Sequence, residues 1–353
     1  MRTRSRTMRL AALLLATLVA APLAATTSVA GADYPTGERI NPGALEVGPP
    51  TRLLHVEGST IVDGATRVEV PGANVWMLGR RGADYLVLTS NVDHRHWRVF
   101  RVAADGTRTR VVGGPADQPV AVLADGGRHL VLQTYTRDDR SLLRVVDTAD
   151  GDVVRRRKFG MTVGPLDFGK RRMVLTEWGQ RPRQQRTFWW NPFTNRLARI
   201  ADRPGYIADV SADRVGVFLR DPYSGGCQKV MTLAAPRTRL WRSCNDRALS
   251  FSPTGKRMVT THILSDGPGP NLLQVRATRG RVLDTYRARW FGFDVWETDQ
   301  KLLLQVANAR AVGAVQCTLR SCERASKLYR TGGRDPWMAM PLWTFADESL
   351  LER

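Results

Sequence analysis

The sequence predicts an all-β chain folded as a single β-propeller, and three observations carry that reading. A turn followed by an apolar strand recurs at steps of 42 to 44 residues, a period that marks propeller blades. Each interval has room for four short strands, separated by turn residues. The residues left over at the two ends of the repeat region together make about one more repeat.

The recurring element reads Gly82-Ala-Asp-Tyr-Leu-Val-Leu88, Gly126-Gly-Arg-His-Leu-Val-Leu132 and Gly169-Lys-Arg-Arg-Met-Val-Leu175. It continues as Asp213-Arg-Val-Gly-Val217, Gly255-Lys-Arg-Met-Val259 and Asp299-Gln-Lys-Leu-Leu-Leu304. The stretch 250–287 shows a whole unit. Leu249-Ser-Phe251 alternates as a strand, and Ser252-Pro-Thr-Gly255 turns. Arg257–Ile263 is β-branched, and Ser265–Asn271 is a Gly/Pro-rich loop. Leu272–Arg276 and Arg281–Tyr286 alternate again around Thr278-Arg-Gly280. The same last turn is Ala104-Asp-Gly106, Ala149-Asp-Gly151, Phe193-Thr-Asn195, Ala235-Pro236 and Leu319-Arg320 in other units. Asp-Gly and Asn suit it because tight hairpin turns need positive φ.

These elements set repeat units at approximately 75–116, 117–160, 161–202, 203–245, 246–288 and 289–330. Residues 51–72 and 331–353 remain. The first holds Arg52–Val56, Ser59–Val62 and Thr66–Val70, and the second Trp337–Met340 and Leu342–Phe345, all read as strands. An unpaired end blade would leave strand edges exposed. The expectation is therefore seven four-stranded blades closed by N- and C-terminal strands, a seventh blade combining 51–72 with 331–353. A six-bladed ring is the alternative. The propeller spans 51–353.

Ser250-Phe-Ser-Pro-Thr-Gly-Lys-Arg-Met-Val-Thr260 resembles the F-S-P-D-G-K-R-L motif of the TolB-like and WD40-like β-propellers. The unit 290–328, with Cys317-Thr-Leu-Arg-Ser-Cys322, resembles the last blade of secreted actinobacterial propellers of that kind. The resemblance covers 75–328 and implies the same fold. The Gly-His and Trp-Asp dipeptides of WD40 repeats do not occur.

Residues 1–32 read as a Sec-type signal peptide. Arg2, Arg4, Arg6 and Arg9 precede the apolar run Leu10–Ala25, and Ala30-Gly31-Ala32 fits the cleavage rule. An uncleaved N-terminal anchor is the alternative. After signal removal no stretch is long enough to span a bilayer, and a secreted, extracellular location is expected. Residues 33–50, with Pro35, Pro42, Pro49 and Pro50, form an N-terminal arm. The cysteines flank hairpin turns, which among three possible pairings favours Cys227–Cys244 and Cys317–Cys322. Such bonds persist in an oxidising compartment. Neither pair has zinc-ligand spacing.

Formal net charge is +20, of which four Arg belong to the signal. Either a solvated Arg-rich surface or a face for anionic partners accounts for this. The basic residues concentrate at 155–186, where ten cations stand against Asp167 and Glu177. Arg155, Arg156, Arg157, Arg171, Arg172, Arg181 and Arg183 form the candidate ligand-binding patch, interleaved with Trp178, Phe188, Trp189 and Trp190. Arg forks grip phosphate and carboxylate. An extracellular address argues against nucleic acid. Asp93-His94-Arg95-His96 is the only His cluster and reads as a polar loop rather than a metal site, while His129 and His262 sit in apolar strands and read as packed core residues.

Little supports catalysis. There is no G-x-S-x-G elbow. Asp138, Asp139, Glu177, Asp221, Asp294 and Glu297 lie near inferred blade ends. The favoured reading is a secreted, non-catalytic, monomeric module that engages a protein or an anionic cell-envelope polymer through one face, with no cofactor. The alternative is a metal-dependent hydrolase or lyase, lactonase-like, with acids in the central channel. Convergence of three or more Asp, Glu, His or Asn side chains at the channel mouth separates the two.

Overall fold

The computed structural model of the chain describes residues 37–136, 140–179, 185–265, 269–333 and 335–346. The signal segment 1–32 lies outside these residues, as do Asp138, Asp139, Arg181 and Arg183.

Why the repeat signal is so regular is visible in the second strand of each blade. Leu86, Val87 and Leu88 are at most 1% exposed, and so are Leu130–Leu132 and Met173–Leu175. Successive side chains on a strand point to opposite faces. Leu86 and Leu88 pack toward the following blade, and Val87 toward the preceding one. Met173 and Leu175 likewise face back while Val174 faces forward. A strand buried on both faces has no solvent side to mark with polar residues, so it reads as a continuous apolar run. Each fully buried Leu, Val or Met contributes roughly 1.5–3 kcal/mol.

The sheets form seven four-stranded blades, as the leftover residues predict. Counted from the N-terminus, blade 1 is composite. Its strands, inner to outer, are Trp343–Phe345, His55–Glu57, Thr60–Asp63 and Thr66–Glu69. Blades 2 to 7 are each contiguous. Their innermost strands are Asn74–Arg81, Val120–Ala124, Thr162–Phe168, Gly205–Asp209, Asp246–Phe251 and Trp290–Thr298. Their outermost strands are Arg108–Gly113, Val153–Lys158, Arg196–Ala201, Arg239–Ser243, Val282–Arg287 and Cys322–Arg324. Among the described residues the buried apolar side chains fall into seven clusters, each between two neighbouring blades. Hydrophobic burial therefore acts between blades, and the ring is held only when every blade has both neighbours.

Closure uses the C-terminal strand. His55 pairs with Phe345 and Glu57 with Trp343. Trp343 stacks on His55 at 4.5 Å and on Phe293 of blade 7 at 5.9 Å. Met77 N–H of blade 2 donates to Thr344 Oγ1 at 2.9 Å. The six-bladed alternative is thereby set aside. The C-terminal segment supplies one strand rather than two, because 336–339 is a helical turn. Pro336 at its first position has the fixed φ that starts a helix.

The N-terminal arm is docked. Glu38–Arg39 adds a parallel fifth strand outside blade 6, pairing with Tyr286 and Arg287. Ile40 is 3% exposed and joins the blade 6–7 cluster. Further on, Arg324 N–H of blade 7 donates to Glu46 O, and Gly48 N–H to Arg324 O. A Cβ on Gly37 would meet the Thr285 carbonyl at 2.5 Å, so only glycine lets the arm lie this close. The Asp-Gly turn signal has a similar basis. Gly151 has φ +84°, and its missing Cβ would stand 2.0 Å from Val111 O of blade 2. Disulfides join Cys227 to Cys244 and Cys317 to Cys322, clamping the outer two strands of blades 5 and 7. No helix among the described residues is long and apolar enough to cross a membrane.

Candidate functional site

The innermost strands place two kinds of residue on the channel. At the end where the first turn of each blade lies, a cavity of about 320 Å³ is bordered by Asp167, Asp209, Ser211, Ser250, Phe251, Asp294, Trp296 and Phe345, among others. Its three carboxylates border one cavity without being grouped to hold a metal ion, and each is engaged locally. Asp167 accepts the Phe168 N–H at 2.6 Å and also the Val210 N–H, tying blade 4 to blade 5. Asp209 accepts Ser211 Oγ and the Ala212 N–H, both at 2.8 Å. Ser250 Oγ of blade 6 donates to Asp294 Oδ2 of blade 7 at 2.5 Å and accepts Trp296 Nε1 at 3.2 Å. Burial pushes the Asp294 carboxyl up to about 7, against the Ser250 hydrogen bond and the positive charge of Arg247, which favour its ionised form.

The other acids singled out from the sequence are scattered. Glu297 accepts the Arg52 N–H at 3.1 Å and Gln316 Nε2, joining blade 7 to the approach of blade 1. Glu177 pairs with Arg186 within blade 4. Asp221 caps the short turn Pro222–Ser224 through the Tyr223 N–H. Among the described residues no three His, Cys, Asp or Glu side chains are grouped to hold a metal ion. His94 and His96 both have positive φ in the loop after the second strand of blade 2. His94 lies against Trp76, with ring centroids 5.7 Å apart. His129 is half-buried beside Asp125. His262 is exposed, a correction to its reading as a core residue. It ends its strand, and its Nδ1 accepts the Leu264 N–H.

The basic cluster divides by role. Arg155 and Arg157, on the outermost strand of blade 3, reach across to the last turn of blade 4. Arg155 Nε donates to Pro192 O at 3.2 Å, and Arg157 Nη1 to Asn195 O at 2.9 Å. Arg172 lies 3.9 Å over the Trp189 ring, a cation–π contact. Arg156 and Arg171 are exposed and make no ion pair among the described residues. Of the interleaved aromatics, Phe188, Trp189 and Trp190 are buried, and Trp178 is exposed.

Sequence reasoning missed the pattern to which Arg156 belongs. The outermost strands of blades 2 to 5 read Arg-Thr-Arg-Val-Val-Gly, Val-Val-Arg-Arg-Arg-Lys, Arg-Leu-Ala-Arg-Ile-Ala and Arg-Leu-Trp-Arg-Ser. None carries an acid. Arg108, Arg110, Arg196 and Arg239 make no ion pair among the described residues. The signal was present, since these residues share one phase of the repeat, just after its last turn. The density of cations at 155–186 hid it.

No protein-family model matches the chain, and no curated protein matches it. Solved structures do. The propeller domain of the Trilobed protease from Pyrococcus furiosus aligns with a TM-score of 0.54 and 12% identity, over 83% of this chain and 99% of that one. The Pyrococcus horikoshii acylaminoacyl peptidase gives 0.56 and 10% identity, over 76% of this chain and 47% of that one; the chain therefore spans about half of the peptidase's length. TolB from Acinetobacter baumannii gives 0.44 and 12% identity, over 66% of this chain and 62% of that one, and nothing is built on that score. At such identities the likeness is one of fold. The class it defines is the seven-bladed β-propeller, a scaffold for many unrelated functions.

Proposed function

We propose that the protein is an exported, non-catalytic binding module that holds an anionic cell-envelope polymer along its outer rim. One observation carries this: the outermost strands of four consecutive blades bear cations and no acid. Arg108, Arg110, Arg156, Arg196 and Arg239, which have no acidic partner among the described residues, attract a polyanion and grip its phosphate or carboxylate groups. The Arg-rich start and apolar run of residues 1–32 support export, and two disulfides suit an oxidising compartment. The lactonase-like alternative is not favoured, since the acids it would need are committed one by one to hydrogen bonds between and within blades.

Charge on an edge strand also keeps other chains from pairing there. Charge reversal separates the two roles, because edge protection works with either sign. Wild type and the variant Arg156→Glu/Arg196→Glu/Arg239→Glu are compared for retention on immobilised anionic cell-wall polymer. Retention should fall at least tenfold in the variant and should weaken steeply with salt in wild type. Equal retention, or retention indifferent to salt, rejects the proposal.

A further inference from the structure

A second concentration of unpaired cations lies away from the cationic rim, where the N-terminal arm meets blades 6 and 7. A cavity of about 520 Å³ opens there, within the roughly 300–1,000 Å³ range of small-molecule sites. Its described lining includes three arginines, Arg39, Arg287 and Arg289, and three asparagines, Asn41, Asn271 and Asn308. No described residue lining it is acidic.

The local pairing explains why this is more than a solvated surface. Arg39 of the arm pairs directly with Arg287 of blade 6, so their side chains leave the same face of the sheet side by side. Like charges placed opposite each other are destabilising. Arg289 follows two residues on. None of the three makes an ion pair or a hydrogen bond through its side chain among the described residues. The arm is nonetheless held here by Ile40 N–H donating to Arg287 O at 2.8 Å and by burial of Ile40. The packing thus gathers three arginines that have no acidic partner among the described residues.

The carboxamides narrow the class of anion. Asn308 Nδ2 donates to Asn41 Oδ1 at 2.6 Å, and Asn308 Oδ1 accepts the Arg310 and Ala311 N–H groups at 2.7 and 2.8 Å. This locks two amide planes on the wall. Asn41 Nδ2 keeps no partner among the described residues. Fixed amides beside a guanidinium cluster suit hydroxyl groups next to an oxyanion, since Arg supplies planar forks and Asn both donors and acceptors.

We infer that this cavity binds a sugar-sized polyol bearing one phosphate or carboxylate, and that the ligand bridges the N-terminal arm to blades 6 and 7. The site stands apart from the rim residues of the proposed function, and its test does not depend on them. Calorimetric titration of the full chain would use glucose 1-phosphate, glucuronate, inorganic phosphate and glucose. Glucose 1-phosphate or glucuronate should bind saturably and glucose should not, with the two arms telling phosphate from carboxylate. Arg289→Ser, an exposed position that the fold does not need, should weaken binding at least tenfold. Arg156→Ser/Arg239→Ser on the rim should leave it unchanged. Because Arg39 belongs to the arm, bound ligand should also slow tryptic cleavage after Arg39. Absence of saturable binding by both sugar anions, or equal binding by Arg289→Ser, overturns the assignment. Inorganic phosphate binding as tightly as glucose 1-phosphate overturns the polyol half of it.

Discussion

The channel and the rim of this propeller treat charge in opposite ways. On the channel the carboxylates of Asp167, Asp209 and Asp294 each accept hydrogen bonds from a residue of the same or a neighbouring blade. On the rim of blades 2 to 5, Arg108, Arg156, Arg196 and Arg239 have no acidic partner among the described residues. Innermost strands crowd together, so polar groups there must be satisfied by neighbours or carry a desolvation penalty. Outermost strands diverge into water, where a cation needs no internal partner. The channel's polar groups therefore serve the ring, and the rim carries cations with no acidic partner among the described residues. Blades 6 and 7 sharpen the point. Their outer strands include Asp284 and Glu323, and the N-terminal arm covers them.

The largest test breaks both regions at once. Removing residues 341–353 takes away the innermost strand of blade 1, with its contacts to Phe293 of blade 7 and Met77 of blade 2. Cooperative thermal unfolding should be lost and the protein should aggregate in size-exclusion runs. A truncated chain that melts like the full one would mean that this strand does not close the ring.

Next in size is the covered part of the rim against the bare part. Ile40→Ala should lower stability by about 2–5 kcal/mol, as for a buried aliphatic side chain. Leu197→Ala, at a position 40% exposed on the outer strand of blade 4, should shift it by no more than about 0.5 kcal/mol. Urea titration of both variants measures the contrast, and equal effects would show that the arm does not seal blade 6 against blade 7.

Within the basic cluster the effect is smaller. Arg155→Ala/Arg157→Ala removes hydrogen bonds to the last turn of blade 4 and should cost about 1 kcal/mol. Arg156→Ala should leave the urea midpoint unchanged while lowering retention on anionic polymer. The reverse assignment would dissolve the distinction between stapling and free cations.

The contrast on the channel side depends on pH. Asp294 has a folded pKa raised from 3.8 to about 7. Its contribution to stability is fully present below about pH 4 and is lost as pH rises through 7, because the folded state then holds a buried charge. Asp294→Asn keeps an acceptor for Ser250 and carries no charge. Its Tm should match wild type near pH 4 and exceed it by several degrees at pH 8. A gain that is the same at both pH values would show that Asp294 does not ionise in this range.

The sequence by itself determined the fold class and favoured the seven blades and the two disulfide pairings that the structure shows. These follow from local rules: turn residues at a fixed phase, such as Gly151 with its positive φ, and apolar triplets such as Leu86-Val87-Leu88 that only a strand buried on both faces requires. It also located the composite blade, because a ring cannot leave an end unpaired. Only the tertiary structure decided which charges are spent. Arg155 and Arg156 are adjacent in sequence, yet one reaches Pro192 on the next blade and the other reaches solvent. Arg39 and Arg287 stand 248 positions apart and are brought side by side by strand pairing. Many of the side-chain partners here come from the neighbouring blade, as for Arg155 with Pro192 and Ser250 with Asp294, and a local pattern holds no record of them.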